Sequence, residues 1–268
     1  GIDFKQGDVL LLRGTLLADG ALGLAAGMNH PHLPVHRRPR VAILATGDEL
    51  VAPGGTLAPG QIIFSNVFAL TALARSEGAD VIDLGIARDT LDSTTDGIRR
   101  AQGSGADVLV TTGGASVGDH DLVQAALKAE GTDMAFWKIA LRPGKPMMHG
   151  RLDAMRVLGL PGNPVSSYIC AYLFLVPLIR ALSGRTHIDH VFEQARLGRD
   201  LPANDQRQDY LRARLETGAE GLPVATSVGM QDSSLVANLA AANALIIRPP
   251  FAPAAPAGST CTILRLPN

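Results

Sequence analysis

The sequence predicts a three-layer α/β domain with a mostly parallel sheet, followed by a small all-β domain. Between residues 40 and 182, short apolar runs typical of buried strands alternate with segments of helical spacing, as in parallel sheets with right-handed crossovers. After residue 186, short alternating strands are separated by turns, which favours a small barrel or sandwich. The 29 glycines and the low charged fraction of 18% suit an α/β protein with tight turns.

The totals exclude several classes of protein. With 268 residues, 46% of them hydrophobic, the chain can form one sizeable core and a smaller unit. Its 24 basic and 25 acidic residues give a net charge of -1, which argues against a nucleic-acid partner bound by phosphate neutralisation. Cys170 and Cys261 form no CxxC pair, and we expect two buried thiols in a cytosolic protein.

No secretion signal or membrane span is predicted. The longest apolar stretch, 168–179, is too short to cross a bilayer and contains Pro177. We therefore expect a cytoplasmic protein without a membrane partner. The chain begins at Gly1 and not at Met, so we expect it to be processed, trimmed or part of a longer protein.

In the first half of the chain the predicted elements follow one another closely. Residues 1–39 form a linker or the remnant of an earlier domain, with a short helical pattern at 16–26 and a Pro-rich end. The run "RVAILAT" at 40–46 is apolar throughout, as expected of a strand covered on both faces. Further elements are helices at 66–78, 92–105 and 121–131 and strands at 79–87 and 106–112.

In the second half the pattern changes from α/β to β. The α/β unit continues through 134–150 and 155–164 into a long apolar helix at 165–182, where Pro177 predicts a kink or a break. The stretches "DYLRARLE", "LPVATSVG", "ALIIRPP" and "TCTILRLP" then predict strands. We expect three parts: an N-terminal remnant and linker at 1–39, the α/β domain at 40–185 and the β domain at 186–268.

Acids and glycines follow three successive predicted strands. "TGDEL" (46–50) comes after the first strand, "ARD" (87–89) after the second and "TTGGASVGDHD" (111–121) after the third. Because ligands bind beyond the carboxyl ends of the strands in open α/β sheets, these residues are predicted to share one site.

The glycines after the third strand suggest a backbone anion site. Gly113, Gly114 and Gly118 permit positive φ and close approach to a ligand, and Ser116 adds a hydroxyl. The loop is neither a P-loop nor a GxGxxG fingerprint. An ordinary tight βα turn is the alternative.

The acids have two interpretations. Asp119 and Asp121 open the third helix, where they could cap it or, with Glu49 and Asp89, hold Mg²⁺ against phosphate oxygens. Asp48 or Glu49 taken alone could equally be a solvated loop acid.

Two turns complete the candidate site. Lys138, Arg142 and Lys145 surround a Pro-Gly turn and form either an anion site or a solvated turn. The turn "LPGNPVS" (160–166) opens the long helix, with Asn163 as its cap and Pro164 in the first turn.

Four motifs in this order identify a family. "ATGDEL", "TTGGASVGDHD", "FWKIALRPGKP" and "GLPGNPVSS" resemble those of the molybdopterin molybdenumtransferases, the bacterial MoeA type related to the E domain of gephyrin. "GIDFKQGDVLL" looks like the end of that family's first domain, and 186–268 looks like its C-terminal β domain. The resemblance makes the α/β unit a molybdopterin-binding domain.

The resemblance also implies an activity. The family uses adenylylated molybdopterin and molybdate, cleaves the adenylate with Mg²⁺, inserts the metal and releases AMP. Matching positions imply catalytic acids at Asp3, Glu49, Asp89 and Asp121, with Glu49 and Asp121 as Mg²⁺ ligands. The implied substrate-binding residues are Thr46, Gly47, Asp48, Gly113, Gly114, Ser116, Gly118, Lys138, Arg142, Lys145, Pro161, Gly162, Asn163, Pro164, Ser166, Arg207 and Ser233.

Two features depart from the family pattern. The family's elongated N-terminal domain, which forms much of the dimer contact, does not precede Gly1, so we expect a longer native protein that forms a homodimer and meets other cofactor-assembly proteins. Arg142 stands where Lys is frequent, which keeps the charge but changes the hydrogen-bond geometry. The alternatives are a molybdopterin adenylyltransferase, or a pterin-binding or scaffold module without catalysis.

Overall fold

The computed structural model describes residues 2–114, 122–136, 138–218 and 221–267. Its helices are α1 (Asp19–Gly27), α2 (Asn66–Ser76), α3 (Leu91–Gly103), α4 (Leu122–Ala129), α5 (Pro164–Cys170), α6 (Val176–Leu182) and α7 (Val236–Ala241). Its strands are β1 (Arg40–Thr46), β2 (Leu50–Val51), β3 (Ile62–Ile63), β4 (Asp80–Ala87), β5 (Val108–Thr112), β6 (Asp133–Phe136), β7 (Leu141–Arg142), β8 (Met148–Leu152), β9 (Met155–Leu160), β10 (Phe192–Leu197), β11 (Gln208–Glu216), β12 (Val224–Ser227), β13 (Ala244–Arg248) and β14 (Thr260–Arg265).

The first sheet is mostly parallel, as predicted. Its strand order is β4-β1-β5-β9-β8-β6, and β4, β1, β5 and β9 run parallel to one another. The exception is β8, which is antiparallel to both of its neighbours. Only two residues connect β8 to β9, too few for the crossover that parallel strands need. The first of them, Asp153, adopts a left-handed conformation with φ 54°.

Helices cover both faces of this sheet, which confirms the three-layer architecture. Successive side chains of β1 point to opposite faces. Val41 and Ile43 join the hydrophobic cluster that contains Leu70 of α2. Ala42 and Leu44 join the cluster that contains Ile98 of α3. The sheet is therefore buried on both sides, and this explains why the run 40–46 is apolar throughout.

The predicted long helix is present and changes its winding before Pro177. Between α5 and α6 lies a π-helical turn, Ala171–Leu175, and the amide of Val176 donates to the carbonyl oxygen of Ala171. Pro177 has no N–H to offer to the preceding turn, which favours such an irregularity. The helix Pro164–Leu182 is long and apolar enough to cross a membrane, but 56% of it is buried inside the protein, as in a core helix.

The second sheet is a closed barrel. Its order is β12-β10-β14-β13-β11-β7, and β12 also pairs with β11, which closes β10 to β14 into a ring of five strands. The sequence was compatible with either a barrel or a sandwich, and its pattern did not predict β10 or α7. It also placed 134–150 wholly with the α/β unit, whereas β7 pairs with Gln208 and Asp209 of β11.

The two sheets share one hydrophobic cluster. Tyr172 and Leu175 of the long helix pack with Tyr210, Leu264 and Leu266 of the barrel region. The hydroxyl of Tyr172 also donates to the carbonyl oxygen of Arg265 at 2.7 Å. The barrel is thus fixed against the long helix and, through it, against the first sheet.

The boundaries predicted for the central elements are confirmed to within two residues. Helix α2 ends near Gly78, whose φ of 90° cannot continue a helix. Helix α3 begins after Thr90, whose hydroxyl accepts a hydrogen bond from the amide of Ser93. Cys170 and Cys261 are both buried free thiols, as expected.

Candidate active site at the carboxyl edge of the sheet

The loops that carry the predicted site residues meet at one edge of the first sheet. Strands β1, β4, β5 and β9 all end there, because they are parallel. The register places Thr46 beside Ala87 and Thr112 beside Leu160. The loops that follow these four strands are therefore neighbours, as the sequence predicted.

The two lysines of the basic turn belong to the same edge. Strand β8 runs in the opposite direction, so its first residue, Met148, lies beside Gly159 near the end of β9. Strand β6 ends at Phe136, beside His149. Lys145 precedes β8 and Lys138 follows β6, and both are exposed. Acids thus occupy the β4 and β1 part of the edge, glycines the β5 and β9 part, and lysines the β8 and β6 part.

Two of the predicted acids are locked together. The amide of Asp48 donates to Oδ2 of Asp89 at 3.3 Å, and the amide of Asp89 donates to Oδ1 of Asp48 at 3.2 Å. The carboxylate of Glu49 folds back over Gly47, where an added Cβ would lie 2.6 Å from Oε2 of Glu49. All three acids are exposed, so their free carboxylate oxygens can reach a ligand.

Glycines let three loops approach one another closely. Gly113 and Gly114 have φ of 87° and 64°, as predicted for this turn. A Cβ on Gly113 would lie 2.4 Å from the carbonyl oxygen of Thr46, and one on Gly114 would lie 2.3 Å from Cγ2 of Val123. A Cβ on Gly162 would lie 3.5 Å from Cα of Gly113. Bare backbone therefore lines the middle of the edge.

A buried hydroxyl lies beneath these glycines. Oγ1 of Thr46 has no hydrogen-bond partner among the described residues, and Thr46 is only 4% exposed. It lies 3.0 Å from the point where a Cβ of Gly114 would stand. Buried polar atoms are rarely left unpaired, and a bound polar ligand is one way to satisfy such a group.

The turn after β9 connects the edge to the barrel region. Asn163 is the N-cap residue of α5 and Pro164 is the first residue of the helix, both as predicted. The side chain of Asn163 makes no capping hydrogen bond to a helix amide. Its Nδ2 donates instead to Oγ of Ser233 at 2.7 Å. The amide of Val165 donates to the carbonyl oxygen of Ser233 at 3.1 Å. Two predicted binding residues thus touch each other.

The same turn is also tied to α2. Nδ2 of Asn66 donates to the carbonyl oxygen of Gly162 at 2.8 Å, and Asn66 is buried. Pro161 and Ser166 are buried at the two ends of this turn. Asn66 is not among the predicted site residues, because an amide at the start of a predicted helix is expected to cap that helix.

Arg142, the third basic residue of the predicted site, is neutralised by two acids that the sequence did not single out, Asp205 and Asp209. Arg142 forms a bidentate ion pair with Asp209, with Nε 2.7 Å from Oδ1. Its Nη1 lies 3.1 Å from Oδ2 of Asp205, and Nη2 of Arg207 lies 3.0 Å from the same oxygen. The hydrogen bond to Asp209 raises the pKa of the Arg142 guanidinium. Both acids flank Arg207 in the sequence "DQRQD". Two acids so close to a predicted binding residue are the sequence feature that could have indicated this ion-pair cluster.

No described contact places five of the predicted acids and loop residues at the edge. Ser116, Gly118, Asp119 and Asp121 lie outside the described residues. Asp3 is exposed in the N-terminal segment and makes no hydrogen bond or ion pair with a described residue. Within 2–114, 122–136, 138–218 and 221–267, no group of three His, Cys, Asp or Glu side chains could hold a metal ion.

Comparison with known families matches most of the chain. A family model described as a probable molybdopterin binding domain matches residues 42–181. A second model, described as the MoeA C-terminal region (domain IV), matches residues 194–266.

Individual relatives agree with these models. The chain is 37% identical over 249 residues to the molybdopterin molybdenumtransferase of Bacillus subtilis, covering 93% of this chain and 57% of that protein. It is 36% identical over 266 residues to the enzyme of the same name from Haemophilus influenzae, covering 98% and 65%. The chain therefore spans about three fifths of the length of the curated relatives it matches.

Solved structures share the fold. A molybdopterin biosynthesis MoeA protein from Pyrococcus horikoshii superposes with a TM-score of 0.87 at 29% identity, covering 100% of this chain and 64% of that one. A second MoeA protein, from Pyrococcus horikoshii OT3, has a TM-score of 0.80 at 22% identity, covering 98% of this chain and 63% of that one, and shows the fold alone.

Proposed function

The chain belongs to the MoeA family of molybdopterin molybdenumtransferases, and we propose that it inserts molybdate into adenylylated molybdopterin with release of AMP. One observation supports this most strongly. A single sheet edge presents carboxylates, bare glycine backbone and lysines in that order across neighbouring strands. Such an edge offers separate places for a metal-bridged phosphate, a flat ring system and an oxyanion.

The dimensions of the edge suit a ligand of this kind. Strands in a sheet are about 4.8 Å apart, so the edge from β1 to β8 extends over roughly 14 Å. The unpaired Oγ1 of Thr46 and the backbone around Gly113 and Gly114 lie between these strands. We assign them to the pterin and the adjoining phosphate, because backbone amides in a positive-φ turn bind anions.

The residues present fit a bound Mg²⁺. This ion usually takes one or two protein carboxylates and completes its shell with substrate phosphates and water, so a cluster of three acids is not required. The exposed carboxylate of Glu49 meets this need, and the resemblance adds Asp121. When bound, Mg²⁺ offsets the charge that builds up on the phosphate during adenylate cleavage.

The side chains of the protein provide position and electrostatics. Asp48 and Asp89, joined by two hydrogen bonds, keep the acidic loops in register beside Glu49. The lysines at the opposite end of the edge, with Arg207 and Ser233 of the barrel region, are assigned to molybdate. Holding molybdate near the ligand's sulfur atoms replaces a random encounter by proximity. The chemistry resides in the substrates.

The remaining assignments are part of the same proposal. We divide the protein into 1–39, 40–185 and 186–268, and assign the edge to the second part. We propose a cytoplasmic location, a homodimer of the longer protein, contact with other cofactor-assembly proteins, and neither nucleic-acid nor membrane partners.

The test is AMP release from adenylylated molybdopterin, with and without molybdate, by the 268-residue chain. We expect molybdate-dependent release, and we expect Glu49→Gln to reduce the rate by at least about 100-fold while leaving the thermal midpoint unchanged, as for loss of an electrostatic catalytic group. Glu216→Gln is the matched control, because Glu216 is exposed on β11 of the barrel.

Other outcomes point to other functions. Turnover of free molybdopterin with ATP would indicate an adenylyltransferase instead. Tight binding of adenylylated molybdopterin without AMP release, in this chain and in the longer protein, would favour a module without catalysis. Equal rates for Glu49→Gln and Glu216→Gln would remove the assignment of Glu49.

A further inference from the structure

We propose that Asp205 occupies an oxyanion subsite between Arg142 and Arg207, and that its carboxylate must move aside when an oxyanion binds. This inference rests on the proposed function, which assigns Arg207 to molybdate, and on the family resemblance, which makes Arg142 a substrate-binding residue. It adds a residue that neither the motifs nor the family resemblance points to. Asp205 would act as an internal competitor that lowers the affinity of the subsite for anions.

Arg142 and Arg207 share one oxygen atom of Asp205. Oδ2 of Asp205 lies 3.1 Å from Nη1 of Arg142 and 3.0 Å from Nη2 of Arg207. Two guanidinium groups, one on β7 and one from the turn before β11, thus point their N–H groups at a single oxygen atom. Guanidinium groups bind phosphate-like oxyanions in the same way. The carboxylate oxygen stands where an oxygen of the ligand would be bound.

Arg142 is held in place by residues other than Asp205. The carboxylate of Asp209, which is only 5% exposed, binds Nε and Nη2 of Arg142. Oδ1 of Asn204 accepts from Nη2 at 3.0 Å. Asn204 is itself fixed, since its Nδ2 donates to the carbonyl oxygens of Arg207, Arg248 and Pro249. Only Nη1 is left for Asp205 or for a ligand.

The carboxylate of Asp205 can move away from the two arginines. Its side chain is 45% exposed, so a rotation about its own bonds would carry the carboxylate into water. Its backbone is anchored separately, because its carbonyl oxygen accepts from the amide of Phe251 at 2.7 Å and its amide donates to Oδ1 of Asn204. An exposed ion pair of this kind changes an equilibrium by no more than about fivefold. A ligand can therefore displace the carboxylate.

The consequence is weaker binding of every anion that needs this subsite. Each such anion must displace the same carboxylate, so Asp205 lowers the affinities for molybdate and for chloride by the same factor. Removal of the carboxylate should therefore tighten molybdate binding, and it should also leave the empty subsite more open to competing chloride.

Isothermal titration of the full chain with sodium molybdate, at constant ionic strength, tests the proposal on Asp205→Asn. In this variant Oδ1 can still accept from the amide of Arg207, as it does now at 2.9 Å, while the amide nitrogen facing the guanidiniums cannot accept a hydrogen bond. Asp200→Asn is the matched control. Asp200 is also exposed, its Oδ1 also accepts from a backbone amide, that of Ala257, and it forms no ion pair with a described cation.

We expect Asp205→Asn to bind molybdate about twofold to fivefold more tightly than the unmodified chain, with Asp200→Asn unchanged. Added chloride should weaken molybdate binding more in Asp205→Asn than in the unmodified chain. Asp205→Ala should change affinity in the same direction, provided that its thermal midpoint is retained.

Unchanged or weaker binding in both Asp205 variants would overturn the proposal, because the carboxylate would then support the site. The absence of molybdate binding to every variant would overturn it as well. AMP release is a separate readout: its failure, with tighter binding in Asp205→Asn, would refute the proposed function and leave the competitor role intact.

Discussion

At the scale of single residues, the carboxyl edge depends on positions where no side chain fits. Gly113 combines a φ of 87° with a virtual Cβ only 2.4 Å from a backbone oxygen of Thr46. Either feature disfavours a larger residue, and the second also fixes how closely the β1 and β5 loops approach. The sequence predicted the positive φ of this turn, because four of six residues there are glycine or serine. It gave no sign of the contact with Thr46.

Gly113→Ala tests the close approach. We expect it to lower the free energy of unfolding by about 2–4 kcal/mol, since the left-handed conformation costs roughly 1–2 kcal/mol and the backbone contact must also open. Gly131→Ala is the control for φ alone, because Gly131 has φ 85° and open space around its virtual Cβ. Urea unfolding of the two variants measures the difference. Equal losses would show that the contact with Thr46 has no energetic weight.

At the scale of elements, an ion-pair cluster joins the ends of α2 and α6. Glu77 follows α2 and is 14% exposed, and its carboxylate binds Arg180 at 2.6 Å and Arg185 at 2.9 Å. Burial raises the pKa of Glu77, but the two arginines outweigh this and hold its pKa below the usual value. A lowered folded-state pKa contributes stability above the unfolded pKa of about 4.3, and this contribution is lost as the pH falls through the folded value.

Glu77→Gln should lower the free energy of unfolding by about 2–4 kcal/mol at pH 7, because it leaves two largely buried guanidiniums without their partner. The same variant should lose less stability than the unmodified chain as the pH falls from about 5 to 3. Glu193→Gln is the control, since its pair with Arg265 is exposed and solvent screening limits it to under about 1 kcal/mol. Denaturant unfolding of both variants and of the unmodified chain across this pH range measures the losses of stability. A Glu77→Gln protein as stable and as acid-sensitive as Glu193→Gln would contradict the role of the cluster.

At the scale of the whole molecule, the α/β unit and the barrel share a core. Side chains of the long helix and of β11, β13 and β14 belong to one hydrophobic cluster, and Tyr172 adds a hydrogen bond across the junction. Regions that share buried side chains lose them together, so they should unfold together. The proposed division at residue 185 would therefore be a division of topology more than of stability.

Calorimetry should show one unfolding transition whose calorimetric and van't Hoff enthalpies agree. Tyr172→Phe should reduce the free energy of unfolding by about 1–2 kcal/mol without splitting that transition, since it leaves the carbonyl of Arg265 unpaired. Tyr168→Phe is the control: its hydroxyl makes no hydrogen bond with a described residue, and burial raises its pKa to about 12. Two separate transitions would refute the shared core.

The sequence by itself determined the elements between residues 40 and 131 and the edge of the sheet at which the predicted site residues lie. Strands and helices differ in the spacing of their apolar residues, and residues 40–182 show this spacing clearly enough to predict most of their helices and strands. Parallel strands end at one edge, so the positions of Glu49, Asp89 and Gly113 after their strands already predicted a common site. Asn163 is the N-cap residue of α5, as predicted, but its side chain makes no hydrogen bond to the helix, and its Nδ2 donates instead to Oγ of Ser233 from the barrel region.

Only the tertiary structure decided how the barrel closes and what faces the basic residues. Strand β11 pairs with both β12 and β7. These pairings depend on strand register, which no local sequence pattern specifies. That register brings Arg142 to Asp205 and Asp209, which lie 63 and 67 residues further along the chain. Charges so far apart in sequence find each other only through the fold, because an ion pair depends on distance in space.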